Sequence, residues 1–142
     1  LLFEPGDPDD LARQVLRLLS EPALAGNLAH NAYERVRRDE EIGPIFNEAI
    51  SDWPHHLDKL ADFWHSVMFG SGRYPGGLMM RHFMHRDRIK PEHFERWLAL
   101  WRTTTAERMP PEMAEVLQDR AGRVGESLKL GLFYRAADDA PE

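Results

Sequence analysis

Proline fixes its own φ and lacks an N–H, so it is tolerated in the first turn of a helix and poorly anywhere inside one. In this sequence Asp7-Pro8, Glu21-Pro22, Asp52-Trp53-Pro54, Pro91 and Pro110-Pro111 each stand just ahead of apolar residues that repeat at spacings of three and four. Starts and periodicity together predict a succession of helices, and alternating strand patterns between turn residues are nearly absent. The expected class is all-α.

The first expected helix follows Pro8 and carries Leu11, Ala12, Val15, Leu18 and Leu19 on one stripe. The second follows Pro22, turns Ala25, Ala29, Ala32, Tyr33 and Val36 inward, holds Arg35, Arg37 and Arg38 off that face, and is expected to end at Gly43-Pro44. A third is capped by Ser51 or Asp52 and buries Trp53, His56, Leu57, Leu60, Phe63, Trp64 and Val67. Four glycines and a proline between Gly70 and Gly77 demand irregular backbone, which leads into a short apolar Leu78-Met79-Met80 before Arg81-His82. Phe94, Trp97, Leu98 and Trp101 mark the helix after Pro91, and Met113, Val116, Leu117, Ala121, Val124 and Leu128 mark the last. From Ala136 the tail is mostly Ala and Asp and is expected to fray.

With 142 residues, 42 % of them apolar, the chain can form one globular core without crosslinks. It has no cysteine, which excludes disulfides, thiolate zinc sites, iron–sulfur clusters and thiolate-ligated haem. Any metal must then be held by His, Met, Tyr or carboxylate. No apolar run reaches the roughly 20 residues of a membrane span, and the first residues lack a basic signal-peptide start. The expectation is a soluble, cytoplasmic protein that does not engage a membrane. Acids outnumber Lys and Arg by 24 to 18, and the basic residues are scattered, so nucleic-acid binding is not expected. Seven His, four Trp and seven Phe suit the surroundings of a flat cofactor or a metal.

Adjacent helical residues lie about 100° apart, so the doublet His55-His56 is split by its surroundings. His56 shares its face with Trp53, Leu60 and Phe63, whereas His55 lines up with Lys59, Asp62 and Ser66. A buried imidazole needs either a hydrogen-bond partner or a metal. A core-edge His56 bonded to a backbone carbonyl satisfies that need as well as a ligand does. His82 follows the irregular Gly-rich approach, where a ring nitrogen can be aimed across a cavity, and is either an iron-type ligand or a packed side chain. His85, the competing ligand, precedes Arg86-Asp87-Arg88 and is expected to be exposed. Tyr33 and Trp97 fall on inward stripes, either as packed aromatics or as single donors in an apolar wall. No nucleophile elbow, phosphate-binding loop or HExxH spacing accompanies them.

Taken in order, these residues resemble the group III truncated haemoglobins. The resemblance runs from Tyr33-Glu34-Arg35-Val36-Arg37-Arg38-Asp39 and Ile42-Gly43-Pro44-Ile45-Phe46-Asn47 through Trp53-Pro54-His55-His56, Phe63-Trp64 and the Gly70, Gly72, Tyr74, Gly76 tract to His82. It continues in Phe94-Glu95-Arg96-Trp97-Leu98-Ala99-Leu100-Trp101 and in Arg120-Ala121 through Leu130-Gly131-Leu132-Phe133, about 100 residues in all over roughly 34–133. It implies a truncated-globin helical sandwich around haem b, with His82 as proximal iron ligand, Tyr33, His56 and Trp97 on the distal side, Phe46 against the porphyrin edge and Arg81 paired with a propionate. It also implies reversible binding of dioxygen, nitric oxide or carbon monoxide. Nitric oxide or peroxide redox chemistry would need an unidentified reductase, because nothing here resembles a flavin or nicotinamide domain, and enzymatic turnover is left open. Leu78 stands where the family often has proline, Ala32 replaces the usual Phe before the distal Tyr, and Phe83-Met84-His85-Arg86 is more polar than the usual stretch.

The front differs. Leu2-Phe3-Glu4-Pro5-Gly6-Asp7-Pro8, Leu18-Leu19-Ser20-Glu21-Pro22 and Ala32-Tyr33-Glu34-Arg35-Val36 resemble the C-terminal helices of retaining, two-Rossmann-domain glycosyltransferases. Their catalytic acidic motif is missing, so this stretch is not expected to transfer sugar alone. The implied organisation is a helical extension over 1–22, an extra hairpin joined to a globin domain over 23–135, and a tail over 136–142, as in a shuffled chain. The alternative from another class is a haem-free helical interaction domain with His82 and Tyr33 merely packed.

Overall fold

A computed structural model of the chain describes residues 22–134. The helix expected after Pro8, most of the expected extension and the tail lie outside these residues. Six α-helices and a terminal π-helical turn follow one another: α1 Pro22–Arg38, α2 Gly43–Ala49, α3 Trp53–Phe69, α4 Leu78–Phe83, α5 Pro91–Arg108, α6 Pro111–Lys129 and the turn Leu130–Tyr134. Among the described residues there is no strand, and no helix is long and apolar enough to cross a membrane.

The helix starts follow the prolines. Asp52 caps α3 by accepting the N–H of His55 at 3.1 Å, with Pro54 in the first turn, where its missing N–H leaves no bond unmade. Gly70 closes α3 at φ +62°, the left-handed conformation that favours glycine, and its N–H returns to the Ser66 carbonyl at 2.8 Å. The irregular tract follows as expected, and α4 then lifts the chain into the segment that carries His82.

Gly43-Pro44 does not end the second expected helix. That helix stops at Arg38, and Gly43 and Pro44 open a separate short helix, α2. The reason is Asp39, whose carboxylate accepts the N–H groups of Glu41 at 3.0 Å and Ile42 at 3.1 Å through one oxygen. Its other oxygen receives Arg96 of α5 at 2.6 Å. Side-chain bonds to the backbone compete with the helical ladder and turn the chain here. Burial works to raise the Asp39 carboxyl, but Arg96 and the two backbone donors outweigh it and hold the group below the usual carboxylate range. Removing this hub in Asp39→Ala leaves the N–H of Ile42, a residue 1 % exposed, without its acceptor. The expected loss is about 2–3 kcal/mol of unfolding free energy, with Asp39→Asn losing less because it keeps an acceptor. Urea denaturation of the three proteins measures this, and equal stability of all three would refute the hub.

α1 packs against α2, α3 and α5, α5 packs along α6, and α4 lies against the terminal turn. Two apolar clusters result. The larger joins Leu28, Tyr33 and Val36 of α1 to Trp53 and Trp64 of α3, Leu98 and Trp101 of α5 and Leu117 and Ala121 of α6. Within it Trp64 and Trp97 each lie nearly parallel to Trp101, at centroid distances of 4.5 and 5.9 Å. The smaller gathers Leu78, Met79 and Phe83 around Phe94, Leu128 and Leu132. Members of both clusters, Tyr33 and Trp64 on one side and Leu78 and Phe94 on the other, line a single cavity.

Candidate functional site

The cavity measures about 480 Å³ and its walls are mostly apolar. α2 supplies Ile45 and Phe46, α3 supplies His56, Leu60 and Phe63, α5 supplies Phe94 and Trp97, and α6 supplies Val124 and Leu128. Its polar atoms belong to few residues, which is the usual composition of a small-molecule site. All six residues singled out from the sequence, Tyr33, Phe46, His56, Arg81, His82 and Trp97, line it. No Asp or Glu does.

On the wall formed by α1, α3 and α5, Trp97 donates from Nε1 to the Tyr33 hydroxyl oxygen at 3.3 Å. Tyr33 is buried, and loss of solvent pushes its phenol up to about 12, against a smaller opposing pull from the Trp97 bond. Its proton therefore stays in place across neutral pH. Phe46 and His56 meet the Tyr33 ring edge-on, each at 6.0 Å, and His56 meets Trp53 at 5.6 Å. Trp64 brings a further donor that the sequence reading did not separate from core packing. Its indole N–H is buried and has no acceptor among the described residues.

His82 stands on the other wall, on α4. Its Nδ1–H donates to the Leu78 carbonyl one turn back at 2.8 Å, which assigns the ring's lone pair to Nε2. Burial, joined by His85 and opposed by the Leu78 bond, lowers its basicity and favours the neutral ring. The expectation for His85 needs correcting. It is half-buried and lines the same cavity, because the turn after α4 folds back through the His85 N–H to the His82 carbonyl at 3.0 Å. Arg81 is exposed and has no carboxylate partner among the described residues. His55 is exposed, as its helical position required. No group of three or more His, Asp or Glu among the described residues is placed to hold a metal by itself.

No family model matches the chain. It is 32 % identical over 105 residues to the group 3 truncated hemoglobin ctb of Campylobacter jejuni, a match covering 71 % of this chain and 82 % of that protein. The chain belongs to the group III truncated haemoglobins. A crystal structure of a group III truncated hemoglobin from Campylobacter jejuni superposes on this globin with a TM-score of 0.69 at 33 % identity, covering 77 % of this chain and 88 % of the other.

In this truncated haemoglobin, burial lowers the His56 imidazole to about 4, helped by the positive charges of Lys59 and Arg81 and by the neighbouring His82 and His55. An unfolded chain takes up that proton near the ordinary 6.5, so between these values the unfolded state binds more protons than the folded one. Stability is therefore expected to fall as pH drops from about 6.5 toward 4. Asp39 acts only below its own ordinary 3.8, outside this window. Urea midpoints of the cofactor-free protein across the window should slope less steeply in His56→Gln than in the parent. An unchanged slope would mean that His56 is solvated.

Proposed function

We propose that this globin binds haem b and through it reversibly binds dioxygen or another diatomic ligand. The observation that carries the reading is His82. A neutral imidazole whose Nδ1–H is anchored on a backbone carbonyl leaves Nε2 as its free nitrogen, on a residue that lines an apolar cavity. Anchoring of that kind sets tautomer and ring orientation in metal-binding histidines. The walls suit an iron porphyrin: they are aromatic and aliphatic, and among the described residues they hold no carboxylate and offer the buried Trp64 N–H no acceptor.

In this proposal His82 is the proximal iron ligand and Arg81 pairs with a propionate. Phe46 packs on the porphyrin edge, and Tyr33, His56 and Trp97 form the distal wall. Bound there, haem supplies an iron that takes a small gas as ligand and can exchange an electron. Tyr33 keeps its proton and offers it to a polar ligand, and the surrounding apolar side chains exclude water. We extend the proposal to nitric oxide or peroxide chemistry fed by a separate reductase. The described lining residues, from Tyr33 to Leu128, fall within the globin domain that we propose over 23–135, and we extend the proposal to a helical extension over 1–22 ahead of it.

Titration of the purified apoprotein with haem tests the reading. A Soret band that saturates at one haem per chain and survives gel filtration is expected. Haem that elutes separately from a folded, helical protein would overturn the reading in favour of a haem-free interaction domain.

A further inference from the structure

His93 was not among the residues expected at the site, yet it lines the cavity. It sits in the first turn of α5, where its Nδ1 accepts the backbone N–H of Lys90 at 3.0 Å while its own N–H bonds the Lys90 carbonyl at 3.0 Å. An N3 side chain that returns to the N-cap N–H is half of a capping box. Here it does more than cap the helix. An imidazole nitrogen that accepts has no proton of its own, so in the neutral ring the proton is on Nε2. That N–H has no acceptor among the described residues, and the half-buried ring lines a cavity to which none of the described residues contributes a carboxylate. Donors without acceptors around such a cavity call for a ligand that brings its own anionic oxygen.

We propose that His93 donates from Nε2 to a carboxylate of the bound porphyrin, and so fixes which edge of the cofactor lies against the start of α5. This rests on the haem-binding reading. The helix cap is what makes His93 selective: bonding to Lys90 fixes both the tautomer and the ring's orientation before the ligand arrives. Arg81 adds charge at the same cavity, but its side chain is long, exposed and held by no carboxylate among the described residues. His93 supplies direction and Arg81 supplies charge.

Metal-free protoporphyrin IX and its dimethyl ester separate this role from iron ligation and from packing. Each is titrated into the apoprotein and followed by porphyrin fluorescence, for the parent, His93→Phe and His93→Asp. His93→Phe should weaken the free acid about tenfold, the loss of one hydrogen bond to a charged group, and leave the ester within about twofold. His93→Asp keeps an acceptor for the Lys90 N–H, which guards the helix cap, and should weaken the free acid still further while sparing the ester. Equal weakening of acid and ester in His93→Phe would overturn the proposal, since His93 would then only shape the wall. Unchanged binding of the free acid in both variants would overturn it as well. A parent that binds acid and ester equally well sinks the carboxylate subsite and leaves the haem reading standing, whereas a parent that binds neither sinks the haem reading itself.

Discussion

His82→Ala should abolish stable haem retention, while His55→Ala should leave it intact and His85→Ala should lower it at most severalfold. His55 is exposed and does not line the cavity, so it serves as the background control. His85 is the demanding comparison, because it lines the same cavity three residues further on. What separates the two is the backbone. His82 is anchored through Nδ1 to the Leu78 carbonyl at 2.8 Å, which fixes its tautomer and aims its other nitrogen. No hydrogen bond of the His85 ring fixes its own orientation among the described residues. A ligand whose orientation is set in advance gives up less freedom on binding, and removing it leaves the iron without its protein bond. Transfer of haem to an excess of a competing apoglobin reads the loss rate in each variant. Equal retention by all three would mean that the iron is not held by His82, and retention lost only in His85→Ala would reverse the assignment.

Much of the fold is legible in the sequence, for identifiable reasons. The helix starts at Pro22, Trp53-Pro54, Pro91 and Pro111 follow from proline's missing N–H, a local property of the chain. The inward faces followed equally well. Ala29, Ala32, Tyr33 and Val36 are all buried, as are Phe94, Leu98 and Trp101, because spacings of three and four fix direction on a helix. The helix break at Asp39 was not legible, since it depends on Arg96, 57 residues away, arriving to pair with a buried carboxylate. Proline at position 44 was visible, but whether it ends one helix or opens another is decided by that partner.

The site divides in the same way. Tyr33, His56 and Trp97 could be placed on inward faces, yet the bond between Tyr33 and Trp97 spans 64 residues and belongs to the packing of α1 on α5. The burial of His85 is not visible in the sequence, because the charged residues after it point to solvent, whereas a turn bonded back to His82 places it at the cavity. His93 left no periodic signal, since it lies beside the stripe of Phe94 and Trp97 rather than on it. A capping-box search would have found it only by admitting histidine at the position where Glu or Gln is usual.

Tyr33→Phe should raise the dissociation rate of dioxygen roughly ten- to hundredfold, and Trp97→Phe should raise it by a smaller factor. The asymmetry follows from the direction of one hydrogen bond. Trp97 gives its N–H to the Tyr33 oxygen at 3.3 Å, so the indole proton is engaged and the phenol proton is left for the cavity. Burial pushes the phenol up to about 12, and that proton therefore stays in place across neutral pH. A hydrogen bond to a partly charged ligand contributes about 1.5–3 kcal/mol, which is the expected factor in rate when Tyr33→Phe deletes the donor. Trp97→Phe leaves that donor in place and removes only the group that polarises and orients it. The two residues act as a unit, so the double variant should lie close to Tyr33→Phe alone rather than at the product of the two effects. Carbon monoxide is the less polar gas, and its release should change less in every variant. Flash photolysis and stopped-flow mixing give both rates. Equal acceleration of both gases would assign Tyr33 a steric role, and a larger effect from Trp97→Phe than from Tyr33→Phe would mean that the indole, not the phenol, faces the ligand.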